Sequence, residues 1–244
     1  MVDEGGVKKS NEVDGAGRLV AVNELKADSS VYARTTYAYD SLDGLIGVNQ
    51  PGVAASCGGA AYTRSFVNSS LGRLKSACNP ESGTIAYGYD GNGNLTLKTD
   101  ARSVTTTFSY DALNRLTGKG YAGETVTAPD TVTPNVTYAY EGGKDFRTAV
   151  TTSAGSYEFG GFDALGRPSV AVQRVGAQNF TFSNLQWAAM GQMVSMTYPS
   201  GRVASYSYDR AGRPSGLTGK VNASAAAETY ASAVSYAPHG AMTD

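Results

Sequence analysis

The stretch YGYDGNGNLTLKTDARSVTTTFSYDALNRLTG (residues 87–118) says nearly the same thing twice. Tyr87-Gly-Tyr89-Asp90 is answered 21 residues later by Phe108-Ser-Tyr110-Asp111, and each phrase is trailed by a four-residue turn and then Leu-Thr. Aromatic residues two apart share one face of a strand. The Asp that follows stands at the strand end, where its carboxylate can accept from the backbone amide two residues on. Gly93 or Asn114, three residues past the Asp, suits the positive φ that ends a hairpin loop built of a type I turn and a bulge. Leu95 and Leu116 then open the return strand. Each unit is predicted to be two strands and two turns.

With that Asp as a marker, the phrase runs along nearly the whole chain. The marker positions are Asp14, Asp40, Ser69, Asp90, Asp111, Glu141, Asp163, Ala188, Asp209 and Ala237, spaced by 21 to 30 residues. Aromatic residues precede it as Tyr37/Tyr39, Tyr87/Tyr89, Phe108/Tyr110, Tyr138/Tyr140 and Tyr206/Tyr208, and singly as Phe162. Three residues beyond it stand Gly17, Gly72, Gly93, Gly166, Gly191, Gly212 or Gly240, then often Arg18, Arg73, Arg115, Arg167 or Arg213. The copies at Asp40, Glu141 and Ala188 are degenerate, and their assignment rests on register. Second turns are expected at 50–52 (QPG), 79–83 (NPESG), 100–103 (DARS) and 198–201 (YPSG). Stacked hairpins would bring the tyrosines of successive units into columns, with aromatic pairs across strands contributing roughly 0.2–1 kcal/mol each. The fold class is all-β: an antiparallel β-hairpin repeat array of about ten units, continuous over residues 1–244 and gently coiling.

These phrases resemble the Rhs/YD-repeat family of bacterial Rhs polymorphic toxins, insecticidal toxin complexes and the teneurin shell. YDALNRLTG, FDALGRPS, YDRAGRPSG and NPESGTIAYGYDGNGNL carry the likeness, which extends from about Val2 to Thr243. The resemblance implies a strand-turn-strand array coiling into a shell, which in bacterial members encloses a C-terminal toxic domain. It implies as partners the rest of that shell and the C-terminal effector, and a secreted or cell-surface location. No match to the family's shell-closing, self-cleaving segment or to a toxin domain is recognised, so the chain reads as a fragment of a longer shell.

Composition sets other bounds. A formal net charge of −1 and a sequence pI near 5.9 give no electrostatic case for nucleic acid. No apolar run approaches the roughly 18 residues of a membrane span, and MVDEGGVKKS is not a signal peptide. Low charge with 41% hydrophobic residues argues for a folded chain. No cofactor or metal is expected. Asp90-Gly-Asn92-Gly-Asn94 alternates oxygen side chains, yet a calcium loop needs Gly at its sixth place and an acid at its twelfth, where this chain has Leu95 and Ala101. His239 is the one histidine and falls in the turn of the last copy. Asp90, Asp111, Asp163 and Asp209 recur at one place per unit, which suits a structural role better than a catalytic pair. The recurring Arg alternates with Asp, favouring mutual pairing over capture of acidic glycans. Five Asn-x-Ser/Thr sequons are ascribed to composition, and residues 122–135 and 221–232 read as insertions. Cys57 and Cys78, 21 residues apart, are placed at matching ends of return strands, ~9.6 Å apart across two strand spacings. That exceeds the roughly 7 Å reach of a disulfide, so two free thiols are expected.

A non-catalytic function follows: a wall segment of a shell that contains and helps deliver a C-terminal effector. The second reading is a cell-surface adhesion or carbohydrate-binding module, with tyrosines stacked on sugar rings. The chain alone is too small to hold cargo. Some 20 strands at ~4.8 Å roll into a ring ~30 Å across, whereas a 100-residue domain is itself ~33 Å across.

Overall fold

In the computed structural model, which describes residues 8–53, 62–125 and 132–243, every regular element is a β-strand and strands hold more than half of the described residues. The strands alternate as their sequences require. In β11, Val136–Tyr140, the side chains of Val136, Tyr138 and Tyr140 are half-buried while Thr137 and Ala139 face solvent. The same period of two runs through Val203–Tyr208.

The chain forms two compact units, one of Met1–Asn114 with Lys119–Thr133, the other of Arg115–Gly118 with Pro134–Asp244. The first carries β1 (Lys8–Val13), β2 (Leu19–Leu25), β3 (Val31–Tyr39), β4 (Leu45–Asn49), β5 (Arg64–Asn68), β6 (Leu74–Asn79), β7 (Gly83–Tyr89), β8 (Leu95–Thr99) and β9 (Thr105–Tyr110). Each of the first eight pairs antiparallel with the next. β10 (Leu116–Ala122) has residues in both units. The second unit repeats the meander with β11, β12 (Arg147–Thr152), β13 (Gly155–Gly160), β14 (Val170–Val175), β15 (Gln178–Trp187), β16 (Met193–Thr197), β17 (Val203–Tyr208), β18 (Pro214–Lys220) and β19 (Glu228–Ala231). β20 (Ser235–Tyr236) and β21 (Met242–Thr243) make a separate short pair. The Ala-rich segment before β19 is turn and bend, and its end supplies that strand. The centre of the 122–135 segment lies outside the described residues.

This sheet buries little. The buried apolar side chains among the described residues are small: Ala21, Val48, Ala77, Cys78 and Ala204. Leu42, Leu71, Leu113, Leu165 and Met190, each two residues past a marker, stand exposed on the turn tips. With so thin a core, backbone ladders and the side chains that clamp them carry the fold.

Cys78 corrects the expectation of free thiols. It is disulfide-bonded, and no described cysteine is free; Cys57 lies outside the described residues. Two strand spacings would separate the cysteines only if Cys57 closed a return strand, but β4 ends at Asn49, eight residues earlier. The β4–β5 ladder has only two pairs, Gly47↔Ser65 and Val48↔Arg64. Distance counted in strand spacings does not apply outside a ladder. We expect alkylation of the denatured, unreduced protein to leave Cys78 unlabelled, and reduction to lower stability by about 2–4 kcal/mol. Quantitative labelling of Cys78 before reduction would refute this.

Candidate functional site

The site is a repeated one, and its local half is the turn. At Asp14 the marker's amide donates to the carbonyl of Arg18 at 2.9 Å, and the Gly17 amide donates back to Asp14 at 3.0 Å. Asp40, Ser69, Asp90, Asp163, Ala188, Asp209 and Ala237 repeat this pair of bonds. Ladders shift by one residue at Tyr39, Tyr89, Tyr140 and Tyr208, as a bulge requires. The closing residue has positive φ: Gly17 at 82°, Gly72 at 71°, Gly93 at 94°, Gly166 at 77°, Gly212 at 78° and Asn114 at 59°. Asp43 fills the slot after Asp40 at 62°. The Glu141 copy is one residue longer, its amide reaching Phe146, with Gly143 taking the positive φ.

The marker carboxylate ties each turn together. One oxygen of Asp14 accepts from the amides of Ala16 and Arg18, both at 2.9 Å, while the other takes Arg18 Nε at 2.7 Å. Asp163 and Asp209 hold Arg167 and Arg213 in the same way. Asp40 and Asp111 receive the amides of Leu42 and Leu113 at 2.9 Å. Ser69 substitutes with its hydroxyl, accepting from Leu71 and Arg73. At Asp90 both oxygens go to Asn94, whose side-chain amide, like that of Asn92, also donates to Asn114 Oδ1. The oxygen-rich run once weighed as a calcium loop is thus a hydrogen-bonded pair of turns.

These bonds hold the carboxyls of Asp14, Asp90, Asp163 and Asp209 below their ordinary value of 3.8. The backbone amide of the following Arg is the main cause at Asp14, Asp163 and Asp209, and the side-chain amide of Asn94 at Asp90. A folded pKa below the unfolded one gives stability that is present above the unfolded value and lost as pH falls through the folded value. The melting temperature should therefore be insensitive to these groups between about pH 5 and 7 and should drop below about pH 4. Asp163→Asn should flatten that drop, and an equal melting temperature at pH 3 and pH 7 in the parent would contradict the assignment.

The other half joins one hairpin to the next. Where a Tyr precedes the marker, it donates its hydroxyl to the carbonyl of the residue opening the preceding return strand. Tyr39 reaches Leu19 at 2.8 Å, Tyr89 Leu74 at 3.0 Å, Tyr110 Leu95 at 3.0 Å, Tyr140 Leu116 at 2.9 Å, and Tyr208 Met193 at 2.6 Å. Trp187 does the same with its indole N–H, to Pro168 at 2.8 Å. The Arg of the preceding turn covers the ring: Arg18 over Tyr39 at 5.1 Å, Arg73 over Tyr89 at 5.9 Å and Arg115 over Tyr140 at 4.6 Å. Arg18, Arg73 and Arg167 also donate to the carbonyl of the next marker. Arg115 donates to the Lys144 carbonyl in the longer turn.

The aromatic columns expected from the sequence do not form. Among the described residues the ring pairs are Phe146–Phe162 at 5.5 Å and Phe182–Tyr198 at 5.8 Å, neither joining two repeat tyrosines. A return strand lies between successive outgoing strands, so like tyrosines stand two strand spacings apart and meet a carbonyl and a guanidinium instead. Of the earlier aromatic pair member, Phe108 lies under Lys119 at 5.9 Å, Tyr37 and Tyr87 face Val48 and Lys98 across their ladders, and Tyr206 faces Leu217. Sequence reasoning missed the clamp, although Tyr before the marker and Arg four after it recur together.

Within the turn, Gly93 and Gly91 separate cleanly. A Cβ on Gly91 meets nothing within 4 Å, whereas one on Gly93 meets Arg73 Nη2 at 2.9 Å and sits on positive φ. Gly93→Val should cost about 2 kcal/mol more than Gly91→Val; equal denaturation midpoints would refute the turn assignment.

An antiparallel hairpin array with a clamp repeated from unit to unit defines a β-repeat scaffold. The RHS repeat model matches residues 69–102, 89–126 and 190–223, so the chain carries RHS repeats over those residues. Its fold is similar to crystal structures of TcdB2-TccC3, with a TM-score of 0.75 at 13% identity over 97% of this chain and 13% of that one. A form of TcdB2-TccC3 without its hypervariable C-terminal region gives 0.74 at 14% identity, covering 97% of this chain and 13% of that one. The Tc holotoxin pore of Photorhabdus luminescens gives 0.74 at 14% identity, covering 99% and 13%. The chain thus spans about one eighth of the structures it resembles. No curated protein matches it in sequence.

Proposed function

We propose that the chain is one continuous, non-catalytic stretch of shell wall, which in the full-length protein helps enclose and deliver a C-terminal effector. The carrying observation is the clamp: the conspicuous Tyr, Asp and Arg of each unit are used on the neighbouring hairpin or on their own turn. Carboxylates that cap backbone amides and hold arginines are structural groups. His239 lies in the Ala237–Ala241 turn and is exposed, a place suited to a turn residue. Fold likeness to TcdB2-TccC3, which has a hypervariable C-terminal region, supports the effector, and likeness to a holotoxin supports a secreted complex. The Cys78 disulfide agrees with an oxidising compartment. Among the described residues no helix is long and apolar enough to cross a membrane.

Limited proteolysis of the full-length gene product tests the reading. The region following the array should resist cleavage while the array is native and become sensitive when it is unfolded. Cleavage of that region at the same rate in both states would reject containment.

A further inference from the structure

The second turn at Tyr198 has the same backbone as the marker turns but a different chemistry. Its amide donates to the Arg202 carbonyl and Gly201 donates back, both at 2.8 Å. The marker place holds Tyr198, not Asp. Arg202 occupies the position that Arg18, Arg167 and Arg213 occupy in their turns, each neutralised there by an Asp. Among the described residues no carboxylate pairs with Arg202, whose guanidinium lies 5.6 Å from the centre of the Tyr230 ring.

That cation faces a cavity of about 470 Å³ walled by Tyr198, Tyr206 and Tyr230 over Ala204 and Leu217. Such a volume, aromatic lining and few polar groups characterise small-molecule sites. The walls are built. β18 and β19 slip register between Leu217 and Thr218, leaving Tyr230 unpaired, a device that re-aims a side chain. The Tyr230 ring lies over Gly219, where a Cβ would collide with it. Phe182 packs edge-on against Tyr198. The Tyr198 and Tyr206 hydroxyls stand 3.5 Å apart, and that bond, with burial, pushes the Tyr206 phenol up to about 12, so it stays a neutral donor.

We propose that this cavity binds a carboxylate-bearing pyranose, an acidic sugar of the hexuronate class. The ring would stack on the tyrosines, the carboxylate would meet Arg202, and the sugar hydroxyls would use the two phenols. A neutral sugar leaves the cation uncompensated, and an aromatic acid leaves the phenols unused. The proposal is independent of the wall reading, since it concerns one pocket and not the array.

Calorimetric titration of the chain with glucuronate, glucose and benzoate tests it. Glucuronate should bind saturably at millimolar concentration or below, at least about tenfold more tightly than glucose or benzoate. Arg202→Gln should remove about tenfold of that affinity with the melting temperature unchanged, Tyr206→Phe should weaken it less, and Arg18→Gln should leave it intact. No saturable glucuronate binding, equal binding of glucose or benzoate, or an unaffected Arg202→Gln variant would each overturn the proposal.

Discussion

Gly155→Val is expected to destabilise the protein by about 4 kcal/mol, read from the denaturant midpoint. Gly155 lies just past the two-residue turn Ser153–Ala154, and neither of those residues takes the positive φ that matches strand twist. The mismatch falls on Gly155, whose φ is 155°. A Cβ there would be driven into the carbonyl oxygen of Arg174 on β14. That obstacle is backbone inside a ladder, Ser156↔Arg174 and Gly155↔Val175, so it cannot turn aside as a side chain does. Conformational strain of about 1–3 kcal/mol and overpacking of about 1–3 kcal/mol then add. Gly176→Ala is the control. Gly176 also has positive φ, at 57°, but open space around it, and should lose only about 1 kcal/mol. Equal losses would show that strain alone, and not the collision, governs these turns.

Tyr208→Ala should cost about 3 kcal/mol and Tyr208→Phe about 1 kcal/mol, again by denaturation. The phenylalanine keeps the half-buried ring and removes only the 2.6 Å bond to the Met193 carbonyl. The alanine removes ring and bond together. A Tyr208→Phe variant as stable as the parent would mean that water replaces the hydroxyl without loss and that the clamp lies in the ring alone.

The two halves of the motif differed in how visible they were. Asp14 caps amides two and four residues away, and Gly17 closes the same five-residue loop, so residue type and spacing suffice to read the turn. Tyr39 meets Leu19 across 20 residues, and Tyr140 meets Leu116 across 24. That contact depends on which strand lies beside which, a fact of register that composition does not carry. The same gap misjudged the pairing of Cys78, whose distance was counted in strand spacings from Cys57, eight residues past the end of β4. The Tyr198 turn was marked as YPSG, but the charge left on Arg202 shows only when its turn is laid over that of Asp14.

An array held this way has a natural unit of length. Excising residues 90–110 would set Asp111 directly after Tyr89, the same two letters that stand there now. Tyr89 would still reach Leu74, and Arg73 would find the carbonyl of Asp111 where that of Asp90 had been. Arg115 and Leu116 would keep Tyr140. Such hairpins close their own turn and ask for one side chain from the next, so the genetic edit that changes the length of the array is gain or loss of a whole phrase of about 21 residues. Size, in such a protein, is set by counting.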